Sequence, residues 1–180
     1  MNVSRLLRPF RFCPCCGSSD YTPSGVRSMR CRACGYEHFV NTSGAVAAWI
    51  VNTAGAVLVC RRRYAPAVDT LDLPGGFIEP GESAEEALFR EVLEETDVRI
   101  TEPEYMFSLP NMYEWKGVTI PTIDLFFRCR CPEDTSIVAG DDADECLWLS
   151  AANLNPALFG LKSVSEGVRR LKEKKEKSEE

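Results

Sequence analysis

The most informative stretch of the chain, residues 73–98, reads LPGGFIEPGESAEEALFREVLEETDV. Its second half predicts a helix, because Ser83 and Glu86 have the spacing of a capping box and good helix formers run from Ala84 to Glu95. Apolar side chains at helical spacing indicate a face that packs on a core: Leu88, Phe89, Val92 and Leu93.

A second face of the predicted helix is acidic. Glu91, Glu94 and Glu95 fall within one arc about 100° wide, because each residue turns an α-helix by about 100°. Like charges at these spacings destabilise a helix by roughly 0.2–0.5 kcal/mol per pair, so a cation is expected beside them. Mg²⁺ is usually bound by a few carboxylates with waters and substrate phosphates. A solvated glutamate-rich face gives the same pattern, so the cluster alone does not decide between the two.

The residues that lead into the helix favour the metal site. Gly75 and Gly76 allow a close approach of the backbone, and Pro80-Gly81 predicts a turn. The stretch resembles the Nudix box: a Gly, five residues, Glu, seven residues, Arg-Glu, an aliphatic, any residue, Glu-Glu, any residue, Gly and an aliphatic. The matching positions are Gly76, Glu82, Arg90, Glu91, Val92, Glu94, Glu95 and Val98. Asp97 stands where the family has Gly, and Asp tolerates the left-handed conformation that ends such a helix.

The Nudix resemblance implies a fold, a reaction and a set of site residues. The fold is α/β, a Nudix α/β/α sandwich with a mixed sheet, over about residues 44–155. The reaction is hydrolysis of a nucleoside diphosphate linked to another group, with Mg²⁺ or Mn²⁺ to neutralise the phosphates and activate water. The metal ligands it implies are the Gly75 carbonyl, Glu91, Glu94 and Glu95. The catalytic residues it implies are Glu82, Arg90, Glu94 and Glu145, with the identity of the general base left open.

Two of these assignments have a specific reason. Arg90 lies just off the acidic face, where an ion pair would orient one glutamate. Glu145 belongs to an acidic stretch at residues 141–150 that runs into a tryptophan-containing strand, and the family often has a Glu at that point. Asp142 is the next best match. An acidic loop that only interacts with solvent explains this stretch equally well.

Four cysteines in two Cys-x-x-Cys-Gly knuckles characterise the N-terminal 40 residues. Cys13 and Cys16 form the first knuckle, Cys31 and Cys34 form the second, and 14 residues separate them. Four thiolates from two tight turns are the ligand set of a structural Zn²⁺. Cys15 lies inside the first knuckle and is expected to bind no metal. The expected domains are a zinc ribbon at 1–40, a Nudix domain at 41–160, and a C-terminal helix with a charged tail at 161–180.

Zinc ribbons either bind nucleic acid or extend the surface of another domain. Arg27, Arg30 and Arg32, with Tyr21 and Tyr36, would suit phosphate contacts and base stacking. Three arginines in a small module are more often ordinary solvated residues, and the net charge of −6 argues against a general polyanion-binding surface. The sequence therefore favours a structural role for the ribbon and a small-molecule nucleotide partner rather than nucleic acid. It leaves the oligomeric state open, a homodimer included.

The composition is that of a soluble globular protein, with 44% hydrophobic and 27% charged residues. No apolar run approaches the roughly 18 residues that a membrane span needs, and residues 1–11 lack the apolar core of a signal peptide. These features predict a cytoplasmic location without a membrane partner, where cysteines stay reduced and favour metal ligation over disulfides. His38 is the only histidine, so a metal centre with several histidine ligands is excluded.

Apolar runs and alternation predict further elements around the box. Residues 110–121 are expected to form a loop or hairpin, and Arg61-Arg62-Arg63 either faces a diphosphate or keeps a strand end soluble. The expected strands and last helix lie at 45–52, 56–62, 104–108, 122–131 and about 163–172.

The expected substrate rests on a further resemblance. A zinc ribbon ahead of a Nudix domain is similar to the arrangement of the NADH pyrophosphatases, which implies a dinucleotide. Those enzymes carry SQPWPFP beyond the box, whereas residues 107–113 here read FSLPNMY, without the Trp and the later prolines. Tyr113 or Trp115 remains to stack on a base. We expect cleavage of an ADP-linked pyrophosphate, ADP-ribose or NADH, with release of AMP.

Two non-enzymatic functions fit the same motifs. A Nudix domain can bind a nucleotide without cleaving it and act as a regulator, and a zinc ribbon can act as a nucleic-acid-binding module. The charged positions of the box are intact, which favours the enzyme.

Overall fold

A computed structural model describes residues 4–131, 137, 140 and 143–178. The chain divides into two compact units. The first consists of Met1–Thr42 with Met112–Pro121, and the second of Ser43–Asn111 with Thr122–Glu180.

The first unit is built on a small antiparallel sheet. Its elements are helix α1 (Ser4–Leu7) and strands β1 (Tyr21–Pro23), β2 (Ser28–Cys31) and β3 (Glu37–Phe39), in sheet order β1-β2-β3. Its core consists of Leu7, Cys13, Tyr21, Met29 and Cys31. So small a core supplies little stability by itself, and a unit of this size usually needs a disulfide or a metal in addition.

The second unit is built on a six-stranded mixed sheet, in which residues 112–121 at the ends of β7 and β8 belong to the first unit. Its strands are β4 (Ser43–Val51), β5 (Ala56–Arg62), β6 (Leu71–Asp72), β7 (Thr101–Trp115), β8 (Val118–Arg130) and β9 (Ala143–Ser150). The order is β6-β5-β4-β8-β7, with β9 paired to β5. Strands β4 and β8 are parallel, whereas β5 pairs antiparallel with β4, β6 and β9.

One long helix covers each face of this sheet. Helix α2 (Ala84–Thr96) contributes Ala87, Leu88 and Val92 to one core, which also contains Ile50 and Leu58. Helix α3 (Lys162–Ser178) packs on the other face and contributes Val164, Val168 and Leu171. Two short 3-10 helices, Ala151–Asn153 and Pro156–Leu158, precede α3. The predicted α/β/α sandwich with a mixed sheet is confirmed.

The expected apolar face of α2 is only partly buried. Leu88 and Val92 are fully buried, but Phe89 and Leu93 are 42% and 37% exposed. The contact stripe instead includes Ala87, since the helix meets the sheet on the side of residues 87, 88 and 92. None of the described helices is long and apolar enough to cross a membrane.

Residues 110–121 form the expected hairpin, but its strands are longer than the sequence indicated. Strand β7 continues through Pro110 to Trp115, and Lys116 and Gly117 make the turn with positive φ angles. Pro110 is tolerated because β7 lies at the edge of the sheet, where a missing N–H need not break a ladder.

Candidate active site

The segment before α2 runs beside β4 like an additional short strand. Its hydrogen bonds to β4 are Val46 N to Gly76 O at 2.9 Å, Ala48 N to Pro74 O at 2.8 Å and Ile78 N to Gly44 O at 3.0 Å. Gly75 has a φ of 149°, and a Cβ there would collide with the Val46 carbonyl. Only glycine therefore allows this close approach of the backbone.

Helix α2 has the predicted caps at both ends. Ser83 Oγ accepts a hydrogen bond from Glu86 N at 3.2 Å, and Ser83 N donates to the Glu86 carboxylate at 2.8 Å. This is the capping box that the sequence indicated. Asp97 ends the helix in the left-handed conformation, with φ 56° and ψ 17°, and donates its N–H to Leu93 O.

Arg90 is the centre of the site. It donates two hydrogen bonds to the Glu82 carboxylate, at 2.7 and 2.8 Å. Its Nη1 donates to Glu91 at 2.8 Å and to Glu94 at 3.2 Å, and its Nη2 donates to the Phe77 carbonyl at 3.1 Å. One guanidinium thus joins three of the carboxylates that the sequence singled out, where an ion pair with only one was expected.

These contacts keep Glu82 ionised and Arg90 protonated. The hydrogen bonds from Arg90 lower the pKa of Glu82 to about 2, and the backbone N–H of Glu79 adds to the effect. The same hydrogen bonds raise the pKa of Arg90 above its ordinary value. Glu82 is therefore ionised at any working pH and is a weak base.

Glu95 is held by a different group from the other two glutamates of the acidic face. Its carboxylate accepts a hydrogen bond from Gly75 N at 2.9 Å. Glu91 packs against Gly76, where an added Cβ would lie only 2.5 Å from the carboxylate carbon. The side chain of Glu91 is 16% exposed and that of Glu94 is 61% exposed. The two glycines therefore bring the loop against the glutamates.

The acidic face suits a hard divalent cation by its chemistry. All its side-chain donors are carboxylate oxygens, which are the ligands that Mg²⁺ prefers. Within the described residues, however, the four knuckle cysteines are the only group of metal-binding side chains whose ligand atoms all lie within 4.8 Å of one another. Arg90 holds Glu91 and Glu94, so a cation would share these carboxylates with the guanidinium.

Glu145 lies on β9, on the opposite side of β5 from β4. It pairs with Arg61 in the sheet, and Arg61 Nε is 3.6 Å from its carboxylate. The next residue, Cys146, reaches the backbone of Glu95 at 3.8 Å, so β9 begins close to the end of α2. Asp142 lies outside the described residues.

Two arginines of the run, Arg61 and Arg62, form the end of β5 and bind groups within the second unit. Arg61 donates to the Asp69 carbonyl at 2.8 Å. Arg62 forms a largely buried ion pair with Asp72 at 2.5 Å. Burial raises the pKa of Asp72, against the opposing influence of Arg62. The Arg62–Asp72 pair therefore links the end of β5 to β6.

The four knuckle cysteines form a second cluster, in the first unit. The sulfurs of Cys13 and Cys34 lie 3.7 Å apart, and those of Cys16 and Cys31 lie 3.6 Å apart. Four sulfurs at about 2.3 Å from a Zn²⁺ would form a tetrahedron with edges of about 3.8 Å. Cys15 is exposed and lies outside the set. The cluster fits a zinc ion.

Local backbone geometry builds this cluster. Gly17 and Gly35 follow the knuckles with φ angles of 74° and 77°, and they donate to the carbonyls of Cys13 and Cys31. The backbone N–H of Cys34 lowers the pKa of the Cys31 thiol to about 7, with burial opposing it. A donor aimed at the sulfur favours the thiolate, the form that binds metal.

The aromatic candidates for base stacking lie at the tip of the β7-β8 hairpin, in the first unit. The rings of Tyr113 and Trp115 stack with centroids 6.5 Å apart. Lys116 Nζ lies 5.2 Å from the centre of the Trp115 ring, and Trp115 is 42% exposed.

Sequence reasoning missed two residues that contact the site. Gly140 donates its N–H to Glu95 O at 2.8 Å, and Cys146 contacts the same carbonyl. Neither belongs to a local motif, since both reach α2 only through the return of the chain into β9. The glycine in an acidic stretch was the single available signal.

Comparison with known proteins assigns the chain to a family. The NUDIX domain model matches residues 41–170. The NAD-capped RNA hydrolase NudC of Stutzerimonas stutzeri (strain A1501) is 32% identical over 157 residues, 86% of this chain and 53% of that protein. The protein of the same name from Deinococcus radiodurans is 34% identical over 151 residues, 82% of this chain and 51% of that protein. The chain thus spans about half the length of these curated relatives.

A solved structure supports the fold. The crystal structure of a NUDIX hydrolase from Nitrosomonas europaea superposes with a TM-score of 0.70 at 23% identity, covering 91% of each chain. At that identity the similarity concerns the fold alone.

Proposed function

Because the chain belongs to the NUDIX domain family, we propose that it is a metal-dependent pyrophosphohydrolase that cleaves a nucleoside diphosphate linked to another group. The observation that carries this proposal is the array in which Arg90 holds Glu82, Glu91 and Glu94 together. A regulator that only binds nucleotides would not need the complete set of charged residues in the box.

In this proposal, the acidic face of α2 is the metal site. Glu91, Glu94, Glu95 and the Gly75 carbonyl hold Mg²⁺ or Mn²⁺, which neutralises phosphate charge and activates water when bound. Arg90 positions Glu91 and Glu94, and Glu82 fixes Arg90 from the other side. With its pKa near 2, Glu82 acts by positioning and is poorly suited to accept a proton. Glu94 and Glu145 remain the candidates for the general base.

The proposed substrate is an ADP-linked pyrophosphate, ADP-ribose or NADH, which yields AMP. The ribbon ahead of the NUDIX domain and the names of the relatives support a dinucleotide-like substrate. The changed segment at 107–113 argues against strict NADH specificity. An RNA that ends in NAD presents the same pyrophosphate, so it is the second candidate, favoured by the relatives' names alone.

The four-cysteine cluster is proposed to bind one structural Zn²⁺ in a ribbon at about residues 1–40. The NUDIX domain would then span 41–160, with the C-terminal helix and tail at 161–180. A cytoplasmic location completes the proposal and agrees with the absence of a membrane-spanning helix among the described residues.

A substrate panel tests the proposal. The purified protein is assayed with Mg²⁺ and with Mn²⁺ on ADP-ribose, NADH, diadenosine polyphosphates, CoA, nucleoside triphosphates and an NAD-capped RNA, and products are identified by chromatography. We expect AMP from ADP-ribose or NADH and weak action on triphosphates. A triphosphate that is the best substrate by about tenfold in kcat/KM would overturn the assignment.

A further inference from the structure

Two cysteines outside the knuckles face each other in the main sheet. Cys60 in β5 and Cys146 in β9 are direct register partners, and their sulfurs are joined in a disulfide between residues 86 positions apart in sequence. Their Cα atoms lie 4.1 Å apart. The sequence had favoured free thiols, whereas the fold brings this pair into contact through long-range strand pairing.

The disulfide lies beside the end of α2. Cys146 Sγ is 3.8 Å from the carbonyl oxygen of Glu95. The same oxygen accepts the N–H of Gly140 at 2.8 Å, and a Cβ on Gly140 would overlap the Glu94 carbonyl. Glu95 therefore contacts the disulfide region through its backbone and Gly75 through its carboxylate.

The two cysteines differ in burial. Cys60 is 5% exposed, whereas Cys146 is half-buried. We therefore place the reaction with an external thiol or disulfide at Cys146, with Cys60 as the second, resolving thiol.

We propose that Cys60 and Cys146 form a reversible thiol–disulfide site that tunes the metal affinity of the acidic face of α2; this inference rests on the proposed metal role of Glu95. Strand β9 is paired to β5 along its length in both redox forms, so only the Cys146 sulfur changes its bonding. In the disulfide form, this sulfur carries no proton, and the Glu95 carbonyl has only Gly140 N as its donor of the two. In the dithiol form, the Cys146 thiol also donates to that carbonyl, the last turn of α2 is held more firmly, and the reduced protein binds metal more tightly.

The co-reactant is a small disulfide such as oxidised glutathione. The Cys146 thiolate attacks one glutathione sulfur and releases the other half as a thiol. The Cys60 thiolate then attacks the mixed disulfide at Cys146 and releases the second glutathione, so two protein thiols are oxidised as one glutathione disulfide is reduced. Reduction by glutathione reverses both steps. In a reducing compartment, disulfides of this kind are more often redox-sensing than structural.

The test compares the full chain in buffers of oxidised and reduced glutathione. Alkylation and peptide mass spectrometry identify the Cys60–Cys146 link, and calorimetric titration with Mn²⁺ without substrate measures metal affinity. The double variant C60A/C146A reports any effect that passes through the ribbon cysteines. Cys15→Ser, which changes an exposed thiol outside both sets, should behave like the wild type.

We expect the linked peptide in oxidised wild type, and a Mn²⁺ dissociation constant about threefold or more lower after reduction, with no redox response in C60A/C146A. Three results would overturn the inference: no linked peptide at any glutathione ratio, equal Mn²⁺ affinity in both states, or the same response in the double variant. Absence of Mn²⁺ binding in both states would instead contradict the proposed metal site of α2. The inferred redox control of metal affinity would then fail as well, because it depends on that site. A disulfide with a structural role alone would change the melting temperature and leave the Mn²⁺ affinity unchanged.

Discussion

Among single residues, Arg90 explains how one helix face tolerates several carboxylates. The spacing of Glu91 and Glu94 calls for a neighbouring positive charge, and the guanidinium supplies it from within the same helix. The sequence indicated an ion pair with one glutamate. It could not indicate the two bonds to Glu82, because these depend on the turn at residues 79–82, where Glu79 N also donates to the Glu82 carboxylate.

Glu82→Gln should reduce the pH dependence of stability in acid. The folded-state pKa of Glu82 is lowered from 4.5 to about 2, so its ionised form stabilises the fold above about pH 4.5, and this contribution is lost as pH falls toward 2. The urea midpoints of wild type and variant should therefore differ most above pH 4.5 and should approach each other as the pH falls from 4.5 toward 2. A difference that is constant across this range would contradict the assigned role of Arg90.

Among the elements, α2 shows what a local sequence can predict. The capping box, the helix and the left-handed Asp97 are encoded within a few consecutive residues, and all three are found. The exposure of Phe89 and Leu93 was not predictable, because it depends on the angle at which the helix meets the sheet. The course of β7 through Pro110 likewise depends on its place at the sheet edge, which a single strand does not reveal.

Asp97→Gly should raise the free energy of unfolding by about 1 kcal/mol, because glycine adopts the left-handed conformation without the strain of a Cβ. Urea denaturation at neutral pH measures the change. Asp97→Ala is the matched control and should be less stable than wild type, since alanine keeps the Cβ and loses the short polar side chain. Equal stability of the glycine and alanine variants would show that the left-handed backbone conformation at residue 97 does not determine the free energy of unfolding.

Across the whole molecule, the two units are stabilised differently. The second unit has an extensive core on each face of its sheet, whereas the described part of the first has five core residues, two of which are knuckle cysteines. The knuckles were predictable because each lies within a few residues of sequence. The contacts of Gly140 and Cys146 with α2 were not, since they join segments about 50 residues apart.

One zinc ion per chain should copurify when chelators are omitted, and elemental analysis measures it. Cys31→Ser should lose the metal and make residues 1–40 sensitive to protease while the second unit stays folded, because the first unit has little core of its own. Cys15→Ser is the control and should keep both zinc and resistance. Zinc-free wild type, or equal zinc in both variants, would rule out the assignment.

The most direct test of the central claim is the rate of AMP release from ADP-ribose or NADH with Mg²⁺, measured for wild type, Glu94→Gln and Glu95→Gln. The account predicts AMP release by wild type and a fall in kcat of about 100-fold or more in each variant, with the fold retained by circular dichroism. Wild-type rates in both variants would contradict the claim that α2 carries the metal site.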